Sequence, residues 1–289
     1  MSVPPVVPSV PYLSVFLTFA RNSLVRDMTF RINFLIECVS SVTWTAMNLG
    51  FYLLIFHHTN QIGADTGWGK WEFFAFLATT MLVNSLVQAF FMPNCEDVSE
   101  LIRTGGLDFA LLKPIDTQFL ISLEKIDWSS FANFAAGLAL LVVSLVRMTA
   151  RAANPLDLTP TSVALYVFYV LCGVAILYSL MISLAATSIW LGQNRSLYDF
   201  WFYITNFSRY PMEIYDGRWG RPLRWTFTYL IPVLIVVNVP AQIIAQPIGH
   251  DSTTVWPLAF FALFATAGSL AASRWVFQAA LRNYRSASS

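Results

Sequence analysis

The sequence predicts an all-α integral membrane protein, a single transmembrane domain over residues 1–289 built as a six-helix bundle. Three observations predict it. Of the 289 residues, 56% are hydrophobic and only 11% are charged, against about 25% charged in an average soluble domain, so a soluble fold of this length would expose large apolar patches. Six stretches satisfy the rule that about 20 mostly apolar residues cross the hydrocarbon core: 34–56, 71–92, 128–146, 161–191, 225–246 and 255–281. Lys and Arg alternate between the segments that join these stretches, fourteen on one side and three on the other.

The chain begins with Pro4, Pro5, Pro8 and Pro11, and its first positive charge is Arg21; a signal peptide needs a basic start before its apolar core. Leu13, Phe16, Leu17, Ala20 and Leu24 then recur at helical spacing opposite Ser14, Thr18, Arg21 and Asn22. This pattern fits an amphipathic helix on the inner leaflet or an extension of the first span. The loop after span two is the most patterned stretch outside the membrane. Asn94 is placed to cap a helix whose first turn holds Glu96 and Asp97, with Val98, Leu101, Ile102 and Gly105 on one face. Gly105-Gly106 ends that helix, and an apolar turn runs to Pro114. In the next piece Phe119, Leu120, Leu123 and Ile126 face away from Gln118, Ser122 and Lys125. Such short helices suit a surface gripped by a partner, or an anchor for the bundle.

Residues 197–224 combine nine aromatic side chains with Arg209, Arg218, Arg221 and Arg224, as in a belt at the inner headgroup level. Pro232 and Pro240 interrupt the fifth span and Pro257 starts the sixth, so a kinked or re-entrant helix is expected there. Cytoplasmic loops carry the excess of Lys and Arg, which puts both termini in the cytoplasm. The expected location is a bacterial cytoplasmic membrane.

The pattern excludes several functions. A net charge of +1 gives no footprint for nucleic acid. Cys38, Cys95 and Cys172 have no metal-ligand spacing, and His57, His58 and His250 lack further ligands at suitable distance. No G-x-S-x-G nucleophile occurs. The one Gly-Lys pair, Gly69-Lys70, is preceded by Ala64 where a phosphate loop needs glycine and followed by Trp71 where it needs Ser or Thr. The chain is not expected to be an enzyme or to bind a cofactor itself.

Polar stripes run inside the spans. Glu37, Ser41, Thr45 and Asn48 follow helical spacing in the first, Thr80, Asn84 and Gln88 in the second, and Ser179, Ser183 and Thr187 in the fourth. Such side chains face a protein neighbour or a hydrated path. Hydrogen-bonded glue between helices and a substrate path both account for them.

On particular residues the chain resembles the permease subunits of ABC-2-type ABC transporters. These are Gly106-Leu107-Asp108 with Leu111-Leu112-Lys113-Pro114, the Ile231-Pro232 and Val239-Pro240 pairs, and the C-terminal Leu281-Arg282-Asn283-Tyr284-Arg285-Ser286-Ala287. The resemblance implies the six-helix bundle of that exporter class, with an N-terminal elbow helix, a cytoplasmic coupling helix and short re-entrant helices between spans five and six. It implies two copies of a separate ABC ATPase subunit that hold ATP and Mg, and a second permease, identical or a sister chain. The resemblance assigns ATPase coupling to the loop after span two, where Glu96, Asp97, Glu100, Leu101, Arg103, Asp108 and Lys113 are the candidate contacts. Glu37, Ser41, Thr45, Asn48, Thr80, Asn84 and Gln88 are candidates for the path or the bundle interface. The expected function is ATP-driven export of a lipid-like, glycan, drug or peptide substrate. A stand-alone channel or facilitator is the alternative, and a membrane-embedded enzyme or scaffold a further one.

Overall fold

The computed structural model describes residues 11–62, 67–152, 155–191, 202–246 and 252–284. The described chain is helical, without a strand, and one isolated bridge pairs Gln61 with Gly69. In order, the helices are α1 (Tyr12–Thr29), α2 (Arg31–His58), α3 (Lys70–Phe90), α4 (Met92–Arg103), α5 (Gly106–Leu111), α6 (Thr117–Leu123), α7 (Ser130–Thr149), α8 (Pro160–Leu191), α9 (Arg221–Trp225), α10 (Leu234–Ala245) and α11 (Ser252–Arg282). Five of these are long and apolar enough to cross a membrane: α2, α3 with its continuation α4, α7, α8 and α11. His250, Arg195, Arg285 and the aromatic residues Tyr198, Phe200 and Trp201 lie outside the described residues.

The core forms where α3, α8 and α10 meet. Phe76, Val83, Ile176, Met181 and every side chain of α10 are buried there. Gly173 of α8 allows this approach: a Cβ at that position would stand 2.7 Å from the Val236 carbonyl oxygen. Around this core α2 is almost wholly exposed, and α11 nearly so, as lipid-facing helices should be. The start of α8 is closed by a reciprocal cap, in which Ser162 N donates to Thr159 Oγ1 at 3.1 Å and Thr159 N to Ser162 Oγ at 3.2 Å.

Two local expectations are corrected. Asn94 does not cap a helix, because α4 starts at Met92 and Phe91 is the only break between it and α3. Gln118 and Ser122 do not face outward; both are buried against α8. On α1 Leu13, Leu17 and Leu24 are exposed together with Ser14, Thr18, Arg21 and Asn22, Phe16 packs on Phe90, and Ser23 is buried and accepts from Ile126 N at 3.0 Å.

The larger correction concerns residues 202–246. The expected fifth span is a bent pair, with Arg221–Leu230 and Leu234–Ala245 meeting at 91° across Ile231-Pro232-Val233. Pro240 sits inside α10 without breaking it. Both ends of the pair lie at the end of the bundle where α3 begins: Arg224 and Trp225 lie beside Pro257, and Gln246 beside Gly67. The pair is therefore re-entrant. Five helices long and apolar enough to cross a membrane then remain among the described residues.

The preceding segment lies at the same end. Trp68 Nε1 donates to Glu213 Oε2 at 2.9 Å, and Met212 N to Asn238 Oδ1 at 2.8 Å. Arg209, Arg218, Arg221 and Arg224 therefore belong opposite α4–α6, not beside them. Once they change sides, the Lys and Arg excess narrows to ten against seven, still in favour of the α4–α6 end.

Candidate functional site

Two regions gather the predicted site residues. The first is a ledge formed by α4, α5 and α6 beyond the end of α3. Asn94, buried inside α4, holds the ledge together: its amide donates to Phe90 O at 2.9 Å and Lys125 O at 2.7 Å, and its Oδ1 accepts from Lys125 N at 2.7 Å. Lys125 in turn pairs with Asp97. On the outer face of the ledge Arg103 Nε donates to Glu100 Oε2 at 2.8 Å. Gly105, left-handed at φ +73°, turns the chain out of α4 into α5. There Phe109 is 72% and Leu112 81% exposed, and Lys113 is exposed next to them.

Of the predicted coupling residues, Glu100, Arg103 and Lys113 lie exposed on this ledge, and Leu101 and Asp108 are half-buried within it. Asp97 is engaged with Lys125. Glu96 points elsewhere, into a cavity shared with Arg26, Asp27, Glu37, Gln88 and Asp127.

Beneath the ledge lies a network that no sequence motif announced. Asp116 caps α6 by accepting from Phe119 N at 3.0 Å. Arg274 of α11 pairs with both Asp116 carboxylate oxygens, and its Nη1 reaches Gln118 Oε1 at 3.0 Å. The guanidinium holds the Asp116 carboxyl below its ordinary value, against partial burial and with help from the Phe119 amide. Gln118 Nε2 donates to the Tyr178 hydroxyl at 3.0 Å, and Ser122 Oγ lies 2.9 Å from the same oxygen. Thus α6 is tied to both α8 and α11. An Asp before a helical run is a legible N-cap, but nothing in the sequence pairs Asp116 with Arg274, 158 residues away.

The second region is a groove between α2, α3 and α7. Thr45, Asn48, Thr80, Asn84 and Gln88 all line it, so two stripes predicted separately converge on one site. Thr45 Oγ1 donates to Asn133 Oδ1 of α7 at 3.1 Å. Asn48 donates to the Trp44 carbonyl at 2.8 Å, and Thr80 to that of Phe76 at 3.1 Å. Among the described residues, the amides of Asn84 and Gln88 have no hydrogen-bond partner. Glu37 lines the adjoining cavity, which Gln88 shares, and Ser41 lines neither. Arg209 and Tyr210 complete the groove beside Tyr52, whereas the sequence pattern places both in a belt at the inner headgroup level. The Ser179, Ser183 and Thr187 hydroxyls bond carbonyls of their own helix at 2.6–2.7 Å. His57 and His58 stack on each other, and no group of three potential metal ligands occurs among the described residues.

A family model described as ABC-2 family transporter protein matches residues 42–288. The chain belongs to the ABC-2 transporter family. No curated protein and no solved structure matches it. Membership makes it a membrane subunit with a permease role in a family that works with ABC ATPase partners. The Gly-Leu-Asp and Arg-x-Tyr motifs meet in space, because the Tyr284 hydroxyl lies against the Asp108 carboxylate.

Proposed function

We propose that this ABC-2 permease is the transmembrane subunit of an ATP-driven exporter, energised by two copies of a separate ABC ATPase that docks on the α4–α5 ledge. The observation that carries this reading is the ledge itself. Phe109 and Leu112 project from α5 among Glu100, Arg103 and Lys113, while the network beneath joins α6 to α8 and α11. An exposed apolar pair ringed by charges is a docking surface rather than a lipid anchor. A push on the ledge reaches two long helices through Asp116, Gln118 and Ser122. Nucleotide and Mg belong on the partner, and the permease pairs with a second copy or a sister chain. The membrane is a bacterial cytoplasmic one, with the ledge and both termini facing the cytoplasm. The groove of α2, α3 and α7 is the path by which substrate leaves.

The test is a mild-detergent purification of the chain expressed with its native gene neighbours, with the accompanying proteins weighed. A stoichiometric soluble ATPase is expected, and Leu112→Asp is expected to release it. Recovery of the chain alone, with flux in liposomes that needs no ATP, would leave a self-sufficient channel instead.

A further inference from the structure

The groove contains a charge whose placement the transport reading does not by itself explain. Arg209, an exposed residue, lines the groove beside Tyr52, whose ring packs on Phe73 in the first turn of α3. A guanidinium facing a cavity of a membrane bundle is ordinarily met by a counter-charge. Among the described residues Arg209 makes no ion pair; its described contact is the Phe202 ring at 5.6 Å. No carboxylate lines the groove. Glu213, four residues on, is committed to Trp68 and to Gln242 Nε2 at 2.9 Å.

The other polar groups of the groove are neutral, and several are unspent. Asn84 and Gln88 offer whole amides, and the Asn133 amide nitrogen remains after its oxygen has accepted from Thr45. The groove measures ≈ 200 Å³, below the roughly 300–1,000 Å³ of sites that enclose a drug-sized ligand. It has room for a head group and none for a chain. Carboxylates Asp27, Glu37, Glu96 and Asp127 line the cavity beyond Gln88 with one cation, Arg26, which pairs with Asp27, so an anion approaching from the ledge end would meet a net negative wall.

We infer that the groove takes the oxyanion-bearing head of an amphiphile, with Arg209 as its counter-ion, the Asn84, Gln88 and Asn133 amides on its hydroxyl or ester groups, and its apolar tail left in the lipid beside α2. This rests on the permease reading and names the substrate class for the same site. Phosphate and carboxylate heads share the chemistry. Entry is sideways from the bilayer, past Trp44, which is 62% exposed at the groove rim.

The test uses the purified full-length chain, without an ATPase, so that its failure is separate from failure of the transporter reading. Trp44 fluorescence is quenched with three brominated single-chain lipids: a lysophosphatidic acid, a fatty acid and the neutral monoacylglycerol. Trp44→Phe supplies the background. Both anionic probes are expected to bind at least about ten-fold tighter than the neutral one, the loss typical of a missing charge-assisted contact. Arg209→Gln is expected to abolish that preference and Arg209→Lys to retain part of it, with both variants keeping the wild-type melting temperature. Equal affinity for charged and neutral probes, or an unchanged preference in Arg209→Gln, overturns the inference. Displacement of the lipid by glycerol 3-phosphate at matched concentration overturns the amphiphile assignment, since a soluble anion would then suffice.

Discussion

Arg274, near the end of the last long helix, grips Asp116 through both guanidinium nitrogens across 158 positions of sequence, and the same group reaches Gln118. The pair joins the cap of a seven-residue helix on the ledge to a 31-residue helix that runs the length of the bundle. Because α6 has few other ties to α11, this contact is expected to carry force more than stability. Arg274→Ala should leave ATPase docking and basal hydrolysis intact while lowering transport per ATP several-fold. Hydrolysis and transport measured in one liposome preparation check it; a parallel fall in both would mean that the ledge had merely come apart.

The same pair has a pH signature. The Asp116 carboxyl is held below its ordinary value of 3.8 by Arg274. Its contribution is therefore fully present above that value and is lost as pH falls below it. The groups are partly exposed, so the contribution is no more than about 1 kcal/mol. Melting curves of Asp116→Asn and the wild type in detergent should keep a constant offset from pH 7 to pH 5 and converge in more acidic buffer.

Trp68 is fully buried, and its indole donates to Glu213, which also holds Gln242. Glu213→Ala leaves two buried donors without a partner and is expected to destabilise the fold by about 1–3 kcal/mol. Glu213→Gln, which retains acceptor capacity, should lose less. Tryptophan fluorescence during thermal unfolding gives the ranking.

Gly173→Ala would bring a methyl group to 2.7 Å from the Val236 carbonyl oxygen and 2.9 Å from its Cγ1. Backbone cannot yield as a flexible side chain does, so α8 and the re-entrant α10 must separate. A cost of about 1–3 kcal/mol is expected, with Gly50→Ala, which meets nothing within 4 Å, as the neutral control.

The placement of residues 207–225 is open to a direct check by labelling. Trp219 is 88% exposed at the end of the bundle opposite Leu112. In a Cys38→Ser background, Trp219→Cys should react with an impermeant maleimide on intact cells, and Leu112→Cys only after the membrane is breached. Labelling of both from the same side would restore the surface-loop placement that the charge pattern suggested.

Much of the bundle was legible because lipid imposes one rule on every lipid-facing residue. Apolar runs of bilayer length marked α2, α3, α7, α8 and α11 within a few residues, and helical spacing put Thr45 and Asn48 on the face that meets Thr80, Asn84 and Gln88. The re-entrant pair misled because twenty apolar residues look alike whether they cross or turn back. Pro232 marked a break but not its angle. Arg209 was placed wrongly for a related reason: arginine beside aromatics is the usual composition of a membrane interface, and only contact with Tyr52 distinguishes a groove wall from a belt. Asn94 fitted the statistics of a cap, yet Lys125, 31 residues on, claimed both ends of its amide.

α2 is fastened at its two extremities. At one, Phe56 and Tyr52 sit among Phe73 and Phe74. At the other it continues into α1, which is fixed by Ser23 and by Asp27, the acceptor for Trp128 N at 3.4 Å. Between these points the Thr45–Asn133 bond is its one side-chain hydrogen bond to another described helix. A rod clamped at both ends and lightly tacked in the middle bows most at mid-length, and mid-length is where it forms a wall of the groove. On the proposed function, the gap widens like a sprung slat while both fixings stay in place, and the loading of cargo need not await the rearrangement of the ledge.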